Sequence, residues 1–133
     1  MNTDDVISKI IELKNRYIQD RIGNDPAALP AWLGEFSGYA SIIYDHYAIF
    51  LEKYEVREAA IIKEENARRD ELNSGEGKAK VTVTEVEQRV AVRIGELKGK
   101  RKKLEQVTKG ATLHINTCQS LLKTWGDEAK GIR

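Results

Sequence analysis

The chain has 133 residues, of which 32% are charged, 41% are hydrophobic and only 2 are proline, and its formal net charge is +1. This composition predicts a single domain of long, solvent-covered helices and argues against a sandwich or a doubly wound sheet. The near-neutral charge excludes a global field that attracts nucleic acid, so any basic site has to be local. The single cysteine, Cys118, excludes an intrachain disulfide and a cysteine-rich zinc site.

Helical periodicity and capping signals predict three helices. The first covers residues 3–22, with Thr3 as its N-cap, and a Gly-Asn-Asp-Pro turn ends it. The second covers residues 30–72, since a proline is well tolerated at the first position of a helix. The third covers residues 82–131, where Thr82 and Glu85 form a capping-box pattern. Residues 78–83 contain a Val-Thr-Val alternation, so a short extended piece before the third helix is the alternative.

Apolar side chains follow a heptad spacing along both long helices. Steps of three and four alternate from Leu33 to Ile61 and again from Val90 to Trp125. The expected fold is therefore all-α: a short N-terminal helix and a long antiparallel, coiled-coil-like hairpin, forming one domain over residues 1–133.

Aromatic residues are concentrated in the second helix. They exceed what one intramolecular seam needs, and this surplus predicts a homo-oligomer larger than a dimer. The predicted oligomer interface contains Phe36, Tyr47, Phe50 and Tyr54. The alternative is that the first helix covers these rings.

A basic run lies in the middle of the third helix. It comprises Lys98, Lys100, Arg101, Lys102 and Lys103. Phosphate backbones favour such a row because each neutralised phosphate releases counterions. The run is the first candidate nucleic-acid site; a solvated charged face is the alternative. Arg101 falls on the heptad seam, where it could instead serve packing.

A second basic area surrounds the break between the long helices. Its candidate nucleic-acid contacts are Arg68, Arg69, Lys78 and Lys80. Acidic neighbours dilute it, and intrahelical pairs four residues apart, Glu64 with Arg68 and Glu65 with Arg69, offer a simpler explanation.

Catalytic and metal-binding patterns are weak. His114 and Cys118 share a helix face, but no second pair of ligands completes a tetrahedral site. We find no arrangement of nucleophile and base and no paired carboxylates in an apolar setting. The sequence therefore predicts neither an enzyme nor a bound metal or cofactor.

From about Trp32 onward the chain combines an aromatic-rich helix, a charged tail, a Gly-Ser loop and a long helix with a late cysteine and tryptophan. In this combination it resembles the UvsY-like recombination mediators of tailed phages. Asn66-Ala67-Arg68-Arg69-Asp70 followed by Ser74-Gly75-Glu76-Gly77 is similar to the family's Lys-Ala-Arg-Leu-Asp stretch and Ser-Gly-x-Gly loop. Arg68 matches the family's DNA-contacting arginine, whereas the family's lysine is replaced by Asn66 and the loop comes one residue later.

The resemblance implies a protein that binds single-stranded DNA and helps to load a RecA-like recombinase onto DNA covered by single-strand-binding protein. It implies a role in phage recombination and repair, in the host cytoplasm. In a ring of roughly six to eight subunits, the small basic sites of all the chains could bind one strand together, which would give strong avidity.

No membrane partner is expected, because no stretch approaches the ~20 apolar residues of a membrane helix and the N-terminus has no signal-peptide pattern.

A coiled-coil scaffold or secretion-type hairpin without nucleic-acid binding is the rival function. Trp32-Leu33-Gly34 spells the Trp-x-Gly motif of small secreted helical-hairpin proteins. Those proteins carry the motif in the turn between two helices, whereas here it opens the second helix of three. Salt-sensitive retention on single-stranded DNA distinguishes the mediator from the scaffold.

Overall fold

The computed structural model describes residues 1–75 and 80–131, and within these ranges the protein is helical with no strand. The helices are α1 (Thr3–Gln19), α2 (Leu29–Asn73) and α3 (Val83–Ala129), with a short 3-10 turn at Ile22–Asn24. The predicted all-α class, with a short N-terminal helix and two long ones, is confirmed.

The first helix differs from its predicted ends. Its N-cap is Asn2, not Thr3, because the Asn2 carboxamide oxygen accepts a hydrogen bond from the backbone N–H of Asp5 at 2.8 Å. The helix ends at Gln19, before the predicted residue 22, and Arg21 has a left-handed φ of 52°. A residue in that conformation cannot continue a right-handed helix.

The long helices begin and end within two residues of their predicted bounds. Before α2, the Asp25 carboxylate accepts hydrogen bonds from the backbone N–H groups of Ala27 and Ala28. Before α3, the Thr82 hydroxyl accepts from the backbone N–H of Glu85 at 3.2 Å, as the capping pattern predicts. Residues 80–82 form no strand, and residues 78–79 lie outside the described part of the chain.

The chain divides into two compact units, and each long helix contributes to both. One unit consists of Met1–Tyr47 and Leu104–Arg133, and the other of Ala48–Lys103. The prediction of one domain over residues 1–133 stays a prediction. We describe the two units separately as the terminal unit and the central unit.

The terminal unit packs α1 against the first part of α2 and the last part of α3. Its buried side chains repeat at helical spacing on each helix: Val6, Ile10 and Leu13; Phe36, Ala40 and Ile43; Ala111 and Cys118. The indole N–H of Trp32 donates to the Leu13 carbonyl at 2.9 Å, which joins α2 to α1. Burial of a side chain as large as Phe36 stabilises the fold by about 1.5–3 kcal/mol.

The central unit is an antiparallel pair of helix segments. Its buried hydrophobic residues are Tyr54 and Ile61 of α2, seven residues apart, and Val86 and Ile94 of α3, eight residues apart, and Glu65 of α2 is buried as well. Arg93 of α3 forms two ion pairs across the helix interface, with Glu64 and Glu65 of α2. This pairing turns the remaining faces of α3 toward solvent.

Candidate nucleic-acid interface

The basic run lies on the solvent side of α3 in the central unit. Lys98, Lys100, Lys102 and Lys103 are all exposed, whereas Ile94 is buried. At 3.6 residues per turn, Lys98 follows Ile94 by four residues and is only about 40° around the helix from it, whereas Lys102, Lys100 and Lys103 are about 80°, 120° and 180° away. These four exposed lysines, the lysine group, are therefore spread over roughly 200° of the helix circumference, and Lys103 faces most directly away from Ile94.

None of these four lysines forms an ion pair with another residue in the described part of the chain. Lys109 is different, because its ammonium lies 2.7 Å from the Glu105 carboxylate. That hydrogen bond and the attraction of the carboxylate raise the pKa of Lys109. Lys98, Lys100, Lys102 and Lys103 thus place four exposed ammonium groups within six residues of α3.

Arg101 lies apart from the four lysines. Its guanidinium carbon is 5.1 Å from the centroid of the Tyr54 ring on α2, a cation–π geometry. Burial raises the pKa of Tyr54, and the guanidinium opposes that rise. This contact supports the packing alternative for Arg101 and separates it from the lysine group.

The second basic area is divided between surface and structural residues. Arg68 is exposed and lines an open groove together with Arg89 and Arg93. Arg69 is half-buried, and its Nε donates to the Val81 carbonyl at 3.1 Å. Lys80 is exposed, and Lys78 lies outside the described residues. Arg69 therefore holds the chain before α3, which leaves Arg68 and Lys80 as surface cations.

The predicted intrahelical ion pairs are wrong. Glu64 and Glu65 both pair with Arg93 of α3, at 2.6 and 3.1 Å, and not with Arg68 and Arg69. The antiparallel pairing brings Arg93 over this turn of α2, where it can reach two carboxylates at once. The Arg93 contact lowers the pKa of Glu64 below its ordinary value.

Arg89 is a groove residue that the sequence analysis missed. It lies four residues before Arg93 and therefore on the same side of α3, facing the groove beside Arg68. The spacing of Arg89 and Arg93 was visible in the sequence. That these two arginines line a groove with Arg68 depends on which turn of α2 lies opposite them, and a heptad pattern alone does not predict this register.

Two glycines of α3, Gly95 and Gly99, stand on open surface in the central unit. No atom within 4 Å would meet a Cβ built at Gly95 or at Gly99. Neither glycine is needed for the close approach of another helix of this chain. Gly99 lies between the outward lysines and leaves the helix backbone accessible there.

His114 and Cys118 are used in packing in the terminal unit. The His114 ring contacts the rings of Tyr17, Trp32 and Phe36 at centroid distances of 4.6–5.4 Å. Burial lowers the pKa of His114 and raises that of Cys118. Within the described residues, no group of three or more histidine, cysteine, aspartate or glutamate side chains is placed to hold a metal ion.

The predicted oligomer interface requires correction. Phe36 is 0% exposed and Tyr54 is 3% exposed. Both rings are therefore buried within their own chain and leave no surface for contact with a second subunit. For Phe36 the cover comes from the terminal unit, in line with the alternative that α1 buries the aromatic residues. Tyr47 and Phe50 are half-buried and keep some exposed surface.

Comparison of the chain with protein-family models, with curated proteins and with solved structures finds no match. Within the described residues, none of the helices is long and apolar enough to cross a membrane.

Proposed function

We propose that the protein binds single-stranded DNA through its phosphate backbone, along the outer face of α3. The observation that supports this proposal is the group of exposed lysines at 98, 100, 102 and 103, which lack ion-pair partners among the described residues. Phosphate oxygens are the ligands that such ammonium groups favour, and binding releases condensed counterions. Contacts of this kind carry no sequence information, so every base composition should be bound.

The groove lined by Arg68 and Arg89 is the second contact area of the proposed interface. Both side chains belong to the central unit, like the lysines, and Arg68 matches the DNA-contacting arginine of the UvsY-like family. Arginine suits this role because its planar guanidinium can bind a phosphate through two parallel hydrogen bonds.

The biological role that we propose is that of a recombination mediator. By resemblance, its partners are a RecA-like recombinase and single-strand-binding protein, and it acts as a homo-oligomer in phage recombination and repair. A net charge of +1 gives one chain little long-range attraction for DNA. Several copies on one strand supply the missing affinity through avidity. The role is one of binding and positioning, and it requires no catalytic group.

The decisive experiment compares two double charge reversals, one in the middle of α3 and one at its C-terminal end, that change the formal charge equally. One variant is Lys100→Glu with Lys102→Glu, and the matched control is Lys123→Glu with Lys130→Glu, where all four lysines are exposed. Fluorescence anisotropy of a labelled single-stranded oligonucleotide is followed at several salt concentrations. We expect the first variant to bind more weakly and to lose about 0.7 of salt slope per lost phosphate contact.

The Arg68→Glu and Arg89→Glu double variant tests the groove in the same assay. Circular dichroism and sedimentation show whether each variant keeps its helicity and assembly. If both basic areas can be reversed without a change in affinity, these residues are ordinary solvated faces. The DNA-binding proposal is then abandoned in favour of the coiled-coil scaffold.

A further inference from the structure

An open groove runs along the solvent side of α2 in the central unit, away from the buried side of the helix. It is lined by Ile49, Glu52, Lys53, Val56, Arg57 and Ala60. Ile49 is 52% exposed and Val56 is 69% exposed, although both are large apolar side chains on a helix whose other face carries the core. The spacing of seven residues between them places both on one line along the helix.

We propose that this groove is where a second copy of the chain docks, with the two α2 helices antiparallel about a two-fold axis. The lining residues map onto one another when the helix direction is reversed. Ile49 then lies opposite the partner's Ala60, Glu52 opposite the partner's Arg57, and Lys53 beside the partner's Val56. A two-fold interface requires this kind of self-complementary surface.

Charge and shape both favour the antiparallel pairing. Glu52 of each copy faces Arg57 of the other copy, so two ion pairs form across the axis. A parallel pairing would place Glu52 beside the partner's Glu52 and Arg57 beside the partner's Arg57, and like charges in contact disfavour that arrangement. The small side chain of Ala60 leaves room for the partner's Ile49. The aliphatic stem of Lys53 can cover the partner's Val56 while its ammonium stays in water.

This docking surface is distinct from the aromatic interface predicted from the sequence, and it does not depend on DNA binding. It lies on α2, whereas the lysine group lies on α3. Two copies paired in this way would bring two basic surfaces into one particle, which would raise the avidity for a single strand.

The test is a charge swap whose outcome the symmetry dictates. In a Glu52→Arg homodimer, arginine faces arginine at both pair positions; in an Arg57→Glu homodimer, glutamate faces glutamate. We expect each single variant to sediment as a lighter species than the unaltered chain in a dilution series at low salt. An equimolar mixture of the two restores both ion pairs as a heterodimer, and we expect it to regain the heavier species.

Glu55→Arg is the matched control, since Glu55 is exposed on the same helix but does not line the groove. It should leave the sedimentation unchanged, and far-UV circular dichroism should show equal helicity in all three variants. The proposal fails if the unaltered chain is monomeric throughout the dilution series. It also fails if the mixture stays as light as its components, or if Glu55→Arg disrupts the assembly as strongly as Glu52→Arg does.

Discussion

Asn73 and Val81 bind each other through a reciprocal pair of hydrogen bonds. The Asn73 carboxamide oxygen accepts from the backbone N–H of Val81 at 2.7 Å, and its Nδ2 donates to the Val81 carbonyl at 3.1 Å. The side-chain amide of Asn73, the last residue of α2, thus satisfies both backbone hydrogen-bonding groups of Val81, which belongs to no helix. Arg69 donates to the same carbonyl, so two donors from α2 hold the chain just before α3 begins.

We expect Asn73→Ala to lower the free energy of unfolding by about 1–3 kcal/mol, because it leaves the half-buried N–H of Val81 without its partner. Urea denaturation followed by circular dichroism measures this change. The matched control is Asn66→Ala, at an exposed position of the same helix. Equal effects of the two substitutions would show that the hydrogen-bond pair contributes nothing beyond helix propensity.

The heptad register of α3 can be tested at two neighbouring positions. Leu104 is 6% exposed, and we expect Leu104→Ala to cost about 2–5 kcal/mol through lost burial and the remaining cavity. Lys102 is exposed, and Lys102→Ala should leave the melting temperature almost unchanged. Thermal unfolding of both variants provides the measurement, and similar shifts for the two would contradict the register.

The heptad pattern predicted which side of each long helix is buried, but not which turns lie opposite each other. Ile61, Ile94 and Leu104 are buried where the spacing places them. The ion-pair partners of Glu64 and Glu65 depend on the relative register of α2 and α3, and the heptad spacing does not specify that register. The interhelical contact with Arg93 therefore replaced the predicted local pairs.

Local polar chemistry was predictable only in part. The hydroxyl of Thr82 caps α3 as its sequence pattern indicates, whereas Asn2 caps α1 in place of the neighbouring Thr3. Two adjacent residues with capping side chains are hard to separate by propensity, because both are favoured at an N-cap. The outward lysines followed from the sequence, but the use of Arg69 in holding Val81 required the fold.

Arg93 and Glu65, whose side chain is only 7% exposed, should make coupled contributions to the free energy of unfolding. We expect Arg93→Met to destabilise the protein, because it leaves a carboxylate in the helix interface without its cation. Adding Glu65→Met should recover most of the loss, since two apolar side chains replace the pair. Urea denaturation of the single and double variants measures this. No recovery in the double variant would show that the pair itself provides the stability.

His114 should make the stability of the protein depend on pH between neutral and mildly acidic conditions. Burial among aromatic rings lowers its pKa below the ordinary 6.5, and the nearby Lys14 ammonium acts in the same direction. Its Nε2 is buried without a hydrogen-bond partner among the described residues, so a proton there would find no acceptor. The neighbouring Tyr17 and Cys118 have raised pKa values and stay neutral in this range.

The direction of this dependence follows from proton linkage. Below pH 6.5 the unfolded chain holds a proton on His114 that the folded chain does not, so the free energy of unfolding falls as the pH falls. The fall ends below the folded pKa, where both states are protonated. Glu64, whose lowered pKa also stabilises the fold, loses its contribution only below about pH 4.5, which is a separate pH range.

We expect His114→Phe to flatten the dependence of the free energy of unfolding on pH between about pH 5 and 7. Leu113→Phe, at an exposed neighbour, should keep the slope of the unaltered chain. Urea denaturation at closely spaced pH values measures both, and an unchanged slope in His114→Phe would assign the dependence to other groups.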